Sequence, residues 1–399
     1  SRSRRSTAKA ASGGGPLLDL KLLSGELDAR KEEIIGYDSE TSVIGKLYAD
    51  RLHMLDDLDT SANGKLGKYS GSKLLEVGPF VHRFGHKFTS RQEATDWALE
   101  VLKDHNIAAV DGSQIYPTRD ISVPIGLVQA CTVVNSHNGE KRFSTNAKLH
   151  LMLPADFVEN DRYVFAEAPV STKRFELECL HIGEFMRSHP GDMVFLDGSL
   201  VLSFTSQQKE KEQARYVKAI TELLDISEET RSPLIAYTDM SLSKDIITLM
   251  WHFFELKHPG HLTDAFLISE KLQWGDRTKL FICDRDDRFP KSQPSVLDLY
   301  GRHRDNIAFF FILSSGQLAS KVEVPKWCYD DQGLVDHIAD TIRAECIIRP
   351  GYPDIIHRAH EYASIKFAET EMFRGMIDSF AAKHGLKIYK SAKEQNKQL

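Results

Sequence analysis

Two stretches end an apolar run with the same acidic triplet: "AAVDGSQI" at 108–115 and "VFLDGSLV" at 194–201. Taken alone, each reads as a turn. An Asp side chain accepts from backbone N–H groups a few residues on, and the following Gly permits the tight bend. Taken together, Asp111 and Asp197 read as two walls of one charged site. On neighbouring strands they would face each other, and like charges opposed across a ladder destabilise a sheet unless something neutralises them. A divalent cation does so, and hard oxygen ligands suit Mn²⁺ or Mg²⁺. A third carboxylate comes from "KRFELECL" at 173–180, where Glu176 and Glu178 are both candidates. Two residues apart on a helix, they cannot face the same way. Glu178 lies four residues after Arg174, so those two share a face, and a surface ion pair is the alternative reading.

The surrounding pattern says which elements must position these groups. Residues 17–60 carry Leu and Ile at helical spacing, a polar Gly-rich loop follows at 59–72, and 91–105 predicts a helix capped by Thr89 or Ser90. Residues 107–115, 121–135 and 141–153 then read as three strands of an antiparallel meander. A helix at 171–189, a strand at 193–204, a helix at 207–227, a strand at 233–238 and a helix at 244–256 come next. The order β-β-β-α-β-α-β-α is ribonuclease H-like: an α/β mixed sheet, antiparallel meander plus parallel strands, flanked by helices. In that arrangement the strands of Asp111 and Asp197 are neighbours. Further on, 265–272 and 278–284 read as extended runs around a turn, 307–313 and 320–325 as strands, 330–349 as a helix, and 353–383 as one long helix opened by Pro353.

Composition bounds the class. The chain has 399 residues, 41% hydrophobic and 27% charged, with formal net charge -6. No apolar run approaches the roughly 20 residues of a membrane span, so no membrane association is expected. The negative balance argues against a surface coated in basic charge, while leaving room for a local basic groove. The five cysteines are scattered, odd in number and without CxxC spacing, which argues for a reducing cytoplasm over a disulfide framework or zinc ribbon. Residues 1–16 read as a flexible basic leader without the apolar core of a secretory signal. The domain reading is leader 1–16, helical region 17–105, main domain 106–385 and a frayed lysine-rich tail 386–399.

Four stretches carry a resemblance to a known family: "VDGSQI" at 110–115, "RFELE" at 174–178, "FLDGSLV" at 195–201 and "GYPDIIHRAH" at 351–360. In this order they resemble the NurA nucleases, prokaryotic DNA-end-processing enzymes that work with the HerA hexameric translocase. The resemblance runs from about residue 107 to 380. It implies that Asp111 and Asp197 are the metal-binding aspartates, that Glu178 (or Glu176) is the helix glutamate, and that His360 is a late histidine of the site with Tyr352 beside it. Ser113 would orient Asp111. The activity implied is Mn²⁺-dependent cleavage of single-stranded DNA, by endonuclease and 5′-to-3′ exonuclease action, in a cytoplasmic homodimer. Two cations roughly 3.5–4 Å apart would supply the attacking hydroxide and steady the leaving oxygen. Asp111 would bridge them, Asp197 and Glu178 would hold one each, and His360 would ligate the second ion or protonate the leaving group.

Other stretches carry weaker expectations. Arg277 and Lys279 in "GDRTKLF" read as lining a DNA path. "SLSKD" at 241–245 reads as a helix cap or a phosphate contact, and "CDRDDRF" at 283–289 as a solvated loop. Two other readings compete. An actin-like phosphotransferase needs Gly-rich phosphate loops, which the chain lacks. A catalytically inactive ribonuclease H-like scaffold for a translocase would have lost its site, whereas Asp111, Glu178, Asp197 and His360 all stand.

Overall fold

The computed structural model describes residues 18–139, 143–159, 162–163, 166–314 and 316–391. The proposed leader and the last eight residues lie outside them. In chain order the elements are α1 Leu20–Ala29, α2 Lys31–Ala49, β1 Gly71–Leu74, β2 Val81–His82, α3 Arg91–Leu102, β3 Ile107–Ile115, β4 Gly126–Asn135, β5 Phe143–Met152, β6 Val158–Glu159 and β7 Arg162–Tyr163. There follow α4 Ala168–Ser188, β8 Met193–Asp197, α5 Glu210–Thr230, β9 Leu234–Thr238, α6 Asp245–Phe253 and α7 Asp264–Ser269. The remainder is β10 Arg277–Thr278, β11 Phe281–Asp284, β12 Ile307–Ile312, β13 Ser320–Pro325, α8 Trp327–Asp330, α9 Leu334–Ile348, α10 Asp354–Ala363 and α11 Phe367–His384.

One mixed sheet organises the chain, in the order β1-β11-β12-β13-β9-β8-β3-β4-β5, with β10 and β2 attached beside β12. The meander β3-β4-β5 is antiparallel, and β8 runs parallel to both β3 and β9. This is the ribonuclease H-like order, extended on the β9 side by antiparallel strands. Helices α4 and α5 cover one face; α3, α9 and α10 cover the other. β12, "IAFFFI", is buried at every position, as a strand enclosed on both faces must be.

Four local expectations are corrected. Residues 265–272 begin as helix α7: Thr263 caps it by accepting from the Phe266 amide, and a short apolar run does not by itself separate helix from strand. The long helix at 353–383 breaks into α10 and α11 at 364–366. Ser113 Oγ and Gln129 Nε2 both donate to the Ala363 carbonyl, so the sheet captures the oxygen that would have continued the helix. The "CDRDDRF" stretch is not a solvated loop throughout, since Asp284 is buried and ion-paired with Arg304. The tail does not fray at once. Tyr389 and Ser391 bond to Ser122 and Asp120, and Lys390 bridges to Ile121. Part of the 17–105 region also joins the main sheet, because β1 pairs with β11.

Candidate active site

The two Asp-Gly-Ser triplets have different structural roles. β8 ends at Asp197, and Gly198 turns with φ +128°, a backbone state that favours glycine. Asp111, by contrast, lies within β3, which stays paired with β4 as far as Ile115. Gly112 is needed there for space. A Cβ at Gly112 would collide with Glu178 Oε1 and come within 2.8 Å of Arg174 Cγ.

Register brings the aspartates together. Val110 pairs with Leu196, so Asp111 and Asp197 follow one residue beyond the last β3–β8 pair. From there β4 and β5 lie to one side of the pair, β9 and β13 to the other. Open α/β sheets form their ligand crevices at such a switch, at the carboxyl ends of the strands. Both side chains follow the period of residues packed under α9 and α10: Ile107 and Ala109 on β3, Met193 and Phe195 on β8. Glu178 reaches the edge from the other face, on the buried stripe of α4 with Ile182 and Phe185.

Helix α10 supplies the next group. His360 Nδ1 stands 2.9 Å from Asp111 Oδ2, and its ring is largely exposed. Just before that helix, the Tyr352 hydroxyl donates to Asp197 Oδ1 at 3.2 Å. The Tyr352 ring packs edge-on against Tyr237, the β9 residue paired with Asp197. Ser113 does not touch Asp111; it ties β3 to the end of α10.

The electrostatics are those of carboxylates crowded without full compensation. Burial pushes the Glu178 carboxyl up to about 7; Arg174 opposes this, and the charges of Asp111 and Asp197 reinforce it. Arg174 Nε is 3.4 Å from Glu178 Oε1 yet makes no hydrogen bond, so the pair is poorly aligned. Desolvation likewise raises Asp197, helped by Asp111 and Asp239 and opposed by the Tyr352 hydroxyl and His360. Burial and the facing Asp197 keep the Tyr352 hydroxyl protonated, hence a donor. Beside Glu178 and Asp197 opens a cleft of about 530 Å³, lined also by Ser171, Arg174, Ser199 and Phe204. Among the described residues, no three His, Cys, Asp or Glu side chains already surround a point that would hold a metal ion. The donor chemistry nonetheless fits one: oxygen ligands with raised proton affinity, and a Glu178–Arg174 pair that leaves ligand capacity spare.

Three sequence candidates lie elsewhere. Glu176 turns toward α5 and takes a two-pronged ion pair from Arg215 at 2.8 and 2.7 Å. Arg277 is buried, its guanidinium held by Glu76 and Asp336, and Lys279 is buried against the carbonyls of Leu55 and Leu58; neither lines an open path. At "SLSKD", Asp264 accepts from the Asp245 and Ile247 amides and so caps α6, while Lys244 bonds the Gly260 carbonyl.

The sequence reading missed a buried ion network under the second triplet. Glu323 Oε2 accepts from Ser199 Oγ at 2.7 Å and the Leu200 amide at 2.6 Å, while its Oε1 takes Lys321. Lys321 also reaches Asp245, which Arg285 grips with two bonds. The turn after Asp197 is thereby pinned from below. The signal was present in "SKVEVP", where Lys321 and Glu323 are two apart and so share one face of a strand whose residues are all buried.

A mixed ribonuclease H-like sheet carries the acidic crevice at the ends of its central strands, and the family model that matches the chain is that of a nuclease family. The family model of the NurA domain matches residues 105–365, and the chain belongs to the NurA family. No curated protein matches the sequence. Solved structures similar to it include two endonucleases V. One is the catalytic domain of human endonuclease V, at 13% identity over 85% of this chain and 98% of that one, with a TM-score of 0.32. The other is endonuclease V of Ciona intestinalis bound to a 24mer DNA containing an inosine, at 10% identity over 68% and 93%, with a TM-score of 0.27. Both likenesses are remote. No described helix is long and apolar enough to cross a membrane.

Proposed function

We propose that the protein is a divalent-metal-dependent deoxyribonuclease acting on single-stranded DNA, by endonuclease and 5′-to-3′ exonuclease action. It would work as a homodimer beside a HerA-type hexameric translocase in DNA end resection. The observation that supports the nuclease chemistry is the placing of Asp111 and Asp197 side by side just beyond the last β3–β8 pair, with His360 and Tyr352 bonded to them and Glu178 close enough to feel both charges. The exonuclease polarity, dimer and translocase rest on the family alone.

Asp111, Asp197 and Glu178 would hold the cation, Mn²⁺ or Mg²⁺; when bound, it lowers the pKa of water to make the nucleophile and neutralises charge on the phosphate. The chain's own groups do the rest. Tyr352 holds Asp197 in one orientation through its hydroxyl. Arg174, lining the cleft beside Glu178, offers a guanidinium to a phosphate oxygen. His360, with Nδ1 turned to Asp111, has Nε2 left to deliver a proton to the departing sugar oxygen. The turn at Gly198, pinned by Glu323, keeps side chains away from the place where the scissile phosphate must approach Asp197.

The test is cleavage of an end-labelled single-stranded oligonucleotide in Mn²⁺. Wild type is expected to cut, chelator to stop it, and Asp111→Ala to abolish it. Equal cleavage by wild type and Asp111→Ala would refute the site. Absence of cleavage by wild type even with the translocase present would favour the inactive scaffold.

A further inference from the structure

The sheet edge that carries Asp197 continues sideways into a cluster of aromatic rings. Asp197 is level with Tyr237 on β9, Tyr237 with Val322 on β13, and Val322 with Phe310 on β12. At the end of β12, Ile312 pairs with Arg277, so the segment just before Arg277 overhangs the same edge. There Trp274 Nε1 donates to the Ser314 carbonyl at 3.2 Å, and Ser314 Oγ lies 3.0 Å from the Tyr237 hydroxyl. A chain of contacts through the buried Tyr237 and Ser314 thus ties Trp274 to Tyr352 and fixes both on the same sheet edge. Three strand spacings separate β8 from β12, on the order of 15 Å.

Around Trp274 the rings accumulate. Phe84 meets Trp274 edge-on at 5.8 Å and Trp97 at 5.2 Å; Phe88 meets Trp97 at 5.6 Å, and His86 stacks on Phe88 at 6.3 Å. Phe84 is the fixed base of the group. Arg343 lies 4.6 Å from its ring centre, and Gly275, at φ +86°, leaves room that a Cβ would fill. Asp276 pins the loop by accepting from Arg83 at 2.5 Å and from the Phe84 amide at 3.0 Å. The outer rings face solvent: His86 is exposed, Phe88 is half-buried and Trp274 is 38% exposed. The loop that bears His86 and Phe88, "HRFGHKFTSR" at 82–91, has Arg83, Lys87 and Arg91, two histidines and no acid.

We propose that this cluster is a stacking platform for the unpaired bases of single-stranded DNA on its way to Asp197 and Tyr352. The proposal rests on the nuclease reading for the direction of the strand. Every base offers a π-face to an aromatic ring, and cations beside the rings track the phosphates. The stacked bases of a duplex cannot reach such rings, so the platform selects unpaired strand. Charge complementarity points the same way, because the exposed Lys87 and Arg91 flank Phe88 on a loop with no acid of its own.

The test measures binding apart from cleavage. Fluorescence anisotropy follows a labelled oligo-dT on the full chain carrying Asp111→Asn, with the platform intact or carrying His86→Ala and Phe88→Ala. A second version uses Phe88→Leu, which keeps apolar volume without a ring, and Phe88→Tyr, which keeps the ring. The expected result is about a tenfold rise in Kd for the double and the Leu variants, little change for Tyr, and little change in any variant for an abasic strand of equal length. Unchanged oligo-dT affinity, as a platform for a protein partner would give, overturns the proposal. An equal loss on the abasic strand also overturns it, leaving only phosphate contacts. Failure of the cleavage assay above would refute the nuclease reading while leaving this binding result to stand or fall on its own.

Discussion

Glu178→Gln should make the protein more stable at neutral pH when metal is withheld. The Glu178 carboxyl is displaced from its ordinary 4.5 to about 7, chiefly by burial. At about 1.4 kcal/mol per pH unit, this amounts to about 3 kcal/mol. The sign follows from a raised carboxylate. Below pH 4.5 the group is protonated in both folded and unfolded chains and costs nothing; between 4.5 and 7 the unfolded chain ionises first, so stability falls as pH rises; above 7 the full cost is present. A glutamine of the same shape carries no such charge. In chelator, urea unfolding of wild type and Glu178→Gln should coincide near pH 4.5 and separate by about 3 kcal/mol by pH 8, with the variant more stable. Adding Mn²⁺ at a hundredfold excess over its Kd should return about 2.7 kcal/mol to wild type and less to the variant. Parallel pH curves for the two proteins would refute the reasoning, because the charge would then not be buried at the fork.

Other substitutions probe the parts separately. Gly112→Ala should abolish cleavage, since its Cβ meets Glu178 Oε1, and a single-turnover assay reads the loss. Tyr352→Phe removes the donor to Asp197, a bond to a charged group worth about 1.5–3 kcal/mol, so cleavage should fall roughly ten- to a hundredfold, and most at acid pH, where Asp197 then protonates sooner. Glu323→Ala leaves the Leu200 amide unpaired and deprives Lys321 of one of its two acidic partners; it should cost about 3–5 kcal/mol in urea unfolding, with Glu323→Gln milder.

The order of strands and helices in the core was legible because it is written in hydrophobic period, and the placing of Asp111 beside Asp197 followed from that order. The choice between Glu176 and Glu178 was not legible. It depends on which side of α4 faces the sheet, and the ion pair from Arg215 on α5 occupies the other side. The two Asp-Gly-Ser triplets looked alike in sequence, yet one glycine serves a turn and the other a close approach by α4, a distinction only tertiary packing makes. The break between α10 and α11 was invisible for the same reason, since side chains from β3 and β4, remote in sequence, capture the Ala363 carbonyl. Arg277 misled because exposure was assumed from charge. Its neighbour Trp274, an aromatic assigned no role, is the one that faces solvent.

The central claim is that Asp111, Asp197 and Glu178 together hold a divalent cation at the fork of β3 and β8. Crystals soaked in Mn²⁺ and measured at the manganese absorption edge test it directly. Anomalous density is expected within coordination distance of carboxylate oxygens from all three residues, and its loss in Asp111→Asn. Protein that cleaves DNA while its manganese density lies away from this fork would contradict the account.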